Sequence, residues 1–192
     1  MSIKAIVLLA DGFEEVEAVT PIDYLRRAGI EVTIASVGSV NFVKGSHGIE
    51  VGVNVSLDDL VKEKKLSVSG WDAVIVPGGM GGSLKIAASK EAGAFLKEMA
   101  GAGKLVCAIC AAPARVLFPL GILAGKNFTC YPGQEENVNT AAAAMCKQDR
   151  VVVDGNLITS RAAGTAGEFA CKIIEKLAGE AGAKKLAEKV LL

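Results

Sequence analysis

Lys104-Leu105-Val106-Cys107-Ala108-Ile109-Cys110-Ala111-Ala112-Pro113 is an apolar run that ends at a cysteine followed by small residues. It reads as a fully buried strand that turns into a helix with almost no loop, with Cys110 at the turn. Ala111 and Ala112 are small enough for a sharp elbow to close without clashes. This is the logic of a nucleophile elbow, which holds a reactive side chain above the carboxyl end of a sheet. Backbone N–H groups and the dipole of the following helix are expected to stabilise a thiolate there. The plainer alternative is that Cys110 is one more buried small hydrophobe.

Working outward, short apolar runs alternate with amphipathic segments. Residues 3–9 read as a buried strand. A helix follows, with Asp11 as its expected cap and Glu14 three residues on. Ala18, Ile22 and Leu25 line one face, and Gly29 ends it. The next strand is expected over 30–35, and a small antiparallel excursion over 36–56. Residues 71–76 form another buried strand, stopped by Pro77-Gly78-Gly79. A helix is expected near 90–100, a short helix over 111–118 ended by Pro119, and a helical segment at 141–144. Strands near 150–153 and 156–159 flank Asp154-Gly155, a hairpin signal. The last helices run from about 165 to 178, with Ala170, Ile173, Ile174 and Leu177 as a stripe, and from 182 to 191. This alternation predicts an α/β fold with a mostly parallel sheet covered on both faces, and one domain over 1–192.

Composition narrows the function. With 192 residues of which 51% are hydrophobic, the chain is too apolar to be disordered. Its 21 basic and 21 acidic residues leave no net charge, so the electrostatic footprint of a nucleic-acid binder is missing. No apolar run reaches the ~18 residues that suggest a membrane span. Met1-Ser2-Ile3-Lys4 leads straight into the first strand pattern, so no signal peptide is expected. Five cysteines, mostly inside apolar segments, argue against a disulfide framework and for the reducing cytoplasm. The single histidine, His47, excludes a zinc site with several histidine ligands, so no such metal site is expected.

Ligands of open α/β sheets bind outside the carboxyl ends of the strands. That selects residues 10–17, 77–82, 109–113, 130–133 and 160–164. Glu17 shares a helix edge with Pro21, Tyr24 and Ala28. Burial there would raise its pKa and let a protonated carboxyl donate to a thiolate. The alternative is a solvated carboxylate beside Glu14 and Glu15. Pro77-Gly78-Gly79-Met80-Gly81-Gly82 lacks the lysine of a phosphate loop. It is read instead as offering backbone N–H groups to an oxyanion. Tyr131 reads as a pocket wall, and His47 as a turn or interface residue. Cys107 makes a C-x-x-C with Cys110 but falls inside the strand, which disfavours a redox pair. Cys130, Cys146 and Cys171 read as structural, with Cys130 at a strand exit where it would respond to oxidants.

Five motifs in this order resemble the ThiJ/PfpI superfamily, in its Parkinson-associated protein deglycase branch. They are Ala10-Asp11-Gly12-Phe13-Glu14-Glu15-Val16-Glu17, Tyr24-Leu25-Arg26-Arg27-Ala28-Gly29, Val76-Pro77-Gly78-Gly79, Ala108-Ile109-Cys110-Ala111 and Thr159-Ser160-Arg161-Ala162-Ala163-Gly164-Thr165. The resemblance implies a flavodoxin-like three-layer α/β/α sandwich and a homodimer with Arg27 near its interface. It implies that Cys110 is the reactive cysteine and Glu17 the protonated glutamate that contacts it. Gly78, Gly79 and Ala111 match the pocket's backbone donors, and Ser160-Arg161 the loop facing the pocket. The implied activity is cofactor-free attack on small reactive carbonyls such as methylglyoxal. The rival implication is a redox-sensing, chaperone-like protective dimer that oxidises Cys110. Where human-like members carry a histidine after the elbow, this chain has Tyr131. The protease members carry a histidine directly after the cysteine, where this chain has Ala111. No histidine lies downstream for a glutaminase, so both labels are set aside, and nothing supports thiazole-phosphate synthesis.

Overall fold

A computed structural model describes residues 2–38 and 41–192. Met1, part of the reading of the chain start, and Ser39 and Val40, part of the expected excursion, lie outside the described residues. The strands are β1 (Lys4–Leu9), β2 (Glu31–Ser36), β3 (Phe42–Lys44), β4 (Glu50–Gly52), β5 (Val55–Ser56), β6 (Ala73–Val76), β7 (Leu105–Ile109), β8 (Val151–Asp154) and β9 (Leu157–Ser160). Seven of them form one sheet in the order β5-β2-β1-β6-β7-β9-β8. All its pairings are parallel except the β8–β9 hairpin at the edge. β3 and β4 pair antiparallel in a separate hairpin, the excursion expected from the sequence.

The helices are α1 (Glu15–Arg27), α2 (Leu57–Lys62), α3 (Met80–Ala88), α4 (Lys90–Gly101), α5 (Thr140–Ala143), α6 (Ala166–Ala178) and α7 (Glu180–Val190). Side chains alternate across a strand, so each central strand feeds two cores. Ala5, Val7, Leu9, Ile75, Cys107 and Ile109 face α1 and α6, where Ala18, Ile22, Leu25, Phe169 and Ile173 meet them. Ile6, Leu8, Val74, Val76, Val106 and Ala108 face the other way, onto Leu57, Ile86, Phe95, Leu96 and Met99. A fully buried Leu or Phe of this kind contributes roughly 1.5–3 kcal/mol. The result is the three-layer sandwich with a central, mostly parallel sheet.

Local capping departs from expectation. Glu14, not Asp11, caps α1: Glu17 N–H donates to Glu14 Oε2 at 2.7 Å. Asp11 instead accepts the Lys44 N–H at 2.9 Å and so ties down the β3–β4 hairpin. The short helix after Cys110 is a wider turn than expected. Pro113–Leu117 is π-helical, with Phe118 N–H donating to Pro113 O at 3.0 Å. Two helices had no sequence expectation. Ser56 Oγ caps α2 by accepting the Asp59 N–H at 3.0 Å. α3 begins inside the glycine-rich stretch, where Gly82 lies so close to Phe13 that a Cβ would meet the Phe13 nitrogen at 2.8 Å.

Candidate active site

Cys110 leaves β7 with φ +65°, one of three described residues other than glycine in the left-handed region. That conformation costs a non-glycine residue roughly 1–2 kcal/mol. Two hydrogen bonds hold it: Cys110 N–H donates to Ser160 O at 2.9 Å, and Tyr131 N–H donates to Cys110 O at 2.8 Å. The elbow is therefore clamped between the exit of β9 and the segment after Phe128. Its thiol is half-buried and rises where β1, β6 and β9 also end.

Glu17 comes from the first turn of α1 and is 1% exposed. Its Oε2 accepts the Gly78 N–H at 2.9 Å. It also bonds the Cys110 side chain and the Ala163 backbone N–H. Burial raises its carboxyl to about 7, against the opposing pull of the Cys110 and backbone hydrogen bonds; the nearby charge of Glu14 adds to the rise. The Cys110 thiol is pushed up to about 12, first by burial, then by the charge and hydrogen bond of Glu17. The Gly79 and Ala111 N–H groups act in the opposite direction, as expected, but they do not prevail. Burial and the Glu17 carboxylate thus act on the thiol against the two N–H donors that the sequence led one to expect there. The pair is a thiol beside a carboxyl that titrates near neutrality.

Gly78 has a packing role. A Cβ there would overlap Glu17 Oε2 and the Cys110 Cβ, so only glycine lets the two side chains meet. Its N–H, expected to face an oxyanion, is taken by Glu17 instead. Gly79, at φ +84°, packs against the backbone of residues 12–14, and Glu14 N–H donates to Gly78 O at 3.0 Å. Ala111 is buried behind the elbow, and Tyr131 is 48% exposed beside it. The Arg161 guanidinium donates to Gln148 O at 2.9 Å and Gln148 Oε1 at 2.6 Å. Arg27 lies on the outer side of α1 and pairs with Asp23 at 2.6 Å. Cys107 is buried within β7, and all five cysteines are free.

Sequence reasoning missed two features. The Ala163 N–H on Glu17 comes from a strand exit already singled out, but backbone donors leave no side-chain signal. His47 is tied to Glu15, which is 5% exposed and buried at the start of α1. Glu15 accepts the His47 N–H at 2.6 Å and meets His47 Nδ1 at 2.9 Å and Ser46 Oγ at 3.2 Å. Burial alone would raise the Glu15 carboxyl, but these bonds and the Ile49 N–H bring it down to about 2. Glu15 in turn raises the His47 imidazole. Together with Glu14, these are the described residues whose ligand atoms could surround a metal ion, all within 4.8 Å. The hydrogen bonds around Glu15 make the group a clip between hairpin and helix. No described helix is long and apolar enough to cross a membrane.

The DJ-1/PfpI family model matches residues 3–176. Protein dj-1beta of Drosophila melanogaster is 42% identical over all of this chain and 98% of its own. A protein of Pyrococcus abyssi named deglycase is 32% identical over 84% of this chain and 91% of its own. Among solved structures, oxidised Toxoplasma gondii DJ-1 superposes with a TM-score of 0.91 at 37% identity, over 99% of this chain and 98% of that one.

Proposed function

The chain belongs to the DJ-1/PfpI family, and we propose that it is a cofactor-free, cysteine-dependent enzyme acting on small reactive carbonyls of the methylglyoxal kind. The observation that carries this reading is the buried Glu17 carboxyl bonded to the Cys110 side chain and titrating near 7. A general acid–base works best when its pKa lies near the working pH. The Cys110 sulfur adds to the aldehyde carbon, and its proton passes through Glu17 to the carbonyl oxygen, giving a hemithioacetal. Glu17, again a carboxylate, removes the hydrogen from that carbon. The electron pair moves through an enediol as the hydroxyl proton of the first carbon passes to the ketone oxygen, and Glu17 returns its proton to the neighbouring carbon, leaving the C=O on the carbon that bears sulfur. Water then cleaves the C–S bond of the resulting lactoyl thioester, releasing lactate and the thiol. One substrate carbon is oxidised and the other reduced, so no external redox cofactor is consumed, and no imidazole is needed where Tyr131 stands. Release of early glyoxal adducts is an extension of the same addition chemistry, in keeping with the name of the Pyrococcus relative.

Proton NMR of methylglyoxal with the purified protein, beside Cys110→Ser, tests this reading. Lactate from the wild type alone supports it, and its absence from both removes it.

The second reading is a redox-sensing, chaperone-like role for the same cysteine. It is favoured by the Gly79 and Ala111 N–H groups at the sulfur and by the oxidised Toxoplasma neighbour. Two peroxide molecules would convert the thiol to a sulfinate with loss of two waters, and a protonated Glu17 would donate to it. Mass spectrometry at low peroxide should then find two oxygens on Cys110 before any other cysteine changes. A homodimer fits both readings. Val16 and Val19, 48% and 44% exposed, share the outer stripe of α1 with Asp23 and Arg27. Five free thiols favour the reducing cytoplasm.

A further inference from the structure

We propose that Cys130 and Cys146 are a second redox site, independent of Cys110: a dithiol that peroxides close reversibly to a disulfide. Their sulfurs are 3.9 Å apart, and both thiols are free. A disulfide needs about 2.05 Å between sulfurs, so the two sulfurs must approach by roughly 1.9 Å to close. The backbones already run side by side. Phe128 and Cys146 form an isolated parallel bridge. Lys147 N–H donates to Phe128 O at 2.7 Å, and Thr129 Oγ1 donates to Lys147 O at 2.9 Å. The other cysteines lack such a neighbour: Cys107 is sealed in β7, and Cys171 is half-buried on α6, lining an open groove with charged residues.

The two thiols differ in access. Cys130 is 2% exposed, whereas Cys146 is half-buried and open to a small oxidant. Burial raises both thiols, and the Glu135 carboxylate, whose Oε2 lies 3.9 Å from the Cys130 sulfur, adds to the rise; the Arg161 guanidinium opposes it at both cysteines without prevailing. The chemistry balances with hydrogen peroxide as the oxidant. Cys146 sulfur attacks one peroxide oxygen, the O–O bond breaks, and one water leaves a sulfenic acid. Cys130 sulfur attacks that sulfur, the S–O bond breaks, and the Cys130 proton leaves with the second water. The sulfurs together give up two electrons, and a dithiol reductant restores both electrons and protons. The bridge would tie Cys130, and with it the neighbouring Tyr131 whose N–H holds the Cys110 carbonyl, to the chain after α5.

The test uses the full chain with Cys110→Ser, which leaves four cysteines. The folded protein is treated with hydrogen peroxide, then its thiols are counted with a maleimide in denaturant. The expected result is a fall from four free thiols to two, an intact mass lower by two hydrogens, and one linked peptide pair containing Cys130 and Cys146. Dithiothreitol should restore all four. Adding Cys146→Ser should abolish the intramolecular link. Persistence of four thiols, oxygen adducts on Cys130 or Cys146 in place of a link, links to other cysteines, or links between chains would overturn the proposal.

Discussion

Gly78 donates its N–H to Glu17 Oε2 at 2.9 Å, joining the exit of β6 to the first turn of α1. The bond holds the buried carboxyl in place, and the missing Cβ leaves it room beside Cys110. Gly78→Ala should therefore separate the pair. Overpacking of this kind costs about 1–3 kcal/mol. We expect a lower midpoint in chemical denaturation and loss of lactate formation. A Gly78→Ala protein with unchanged turnover would show that the contact is not needed.

The Glu17 carboxyl titrates at about 7, and the Cys110 thiol only at about 12. Below pH 9 the group that switches is the carboxyl. Taking the thiol proton requires the carboxylate, so kcat should rise with pH through about 7 and then level off. Glu17→Gln should lack that rise. A profile centred near the ordinary thiol range would assign the titration to Cys110.

The same shift has a consequence for stability. Glu17 moves from an ordinary 4.5 to about 7 on folding, so the folded chain holds the proton more tightly. That contribution is complete below pH 4.5 and is lost as pH rises to about 7, by up to about 3 kcal/mol. Glu15 has the opposite sign, falling from 4.5 to about 2. Its contribution is present above pH 4.5 and is lost as pH falls toward 2. Melting temperatures across pH 3 to 8 should show Glu17→Gln gaining on the wild type toward pH 7. Parallel curves for the two proteins would remove the burial argument.

Glu15→Gln should loosen the hairpin clip. Glu15 accepts the His47 N–H at 2.6 Å, and an amide there would face the Nδ1 and hydroxyl partners with a different set of donors and acceptors. Upsetting a buried polar group costs about 1–3 kcal/mol. Hydrogen exchange should speed up in β3 and β4 while β7 stays protected. Equal protection of the hairpin in both proteins would count against the clip.

Much of this was legible in the sequence because it rests on local pattern. β7 and its elbow follow from an apolar run ending in Cys110-Ala111-Ala112, and the β8–β9 hairpin from Asp154-Gly155. The helix edge of Glu17 left burial and solvation equally open, and the family resemblance decided between them. What escaped depends on contacts between distant segments. α3 was hidden because Gly81 and Gly82 weaken a helix on its own, yet Gly82 lets it lie against Phe13 and Gly81 faces Gly12. The cap moved from Asp11 to Glu14 because the docked hairpin claims Asp11 through the Lys44 N–H. Neither the Glu15–His47 clip nor the 3.9 Å approach of Cys130 and Cys146 has any signature in spacing. The thiol's raised pKa depends on burial beside a carboxyl, which a motif does not report.

The most direct measurement is lactate formation from methylglyoxal, followed by proton NMR for the wild type, Cys110→Ser and Glu17→Gln at pH 7.5. Alkylation of Cys110 is followed in parallel for the two proteins that retain it. With Glu17 as the proton carrier, Glu17→Gln should lose at least ~100-fold in turnover while Cys110 still alkylates, and Cys110→Ser should make no lactate. Full turnover by Glu17→Gln would contradict the role assigned to the buried carboxyl.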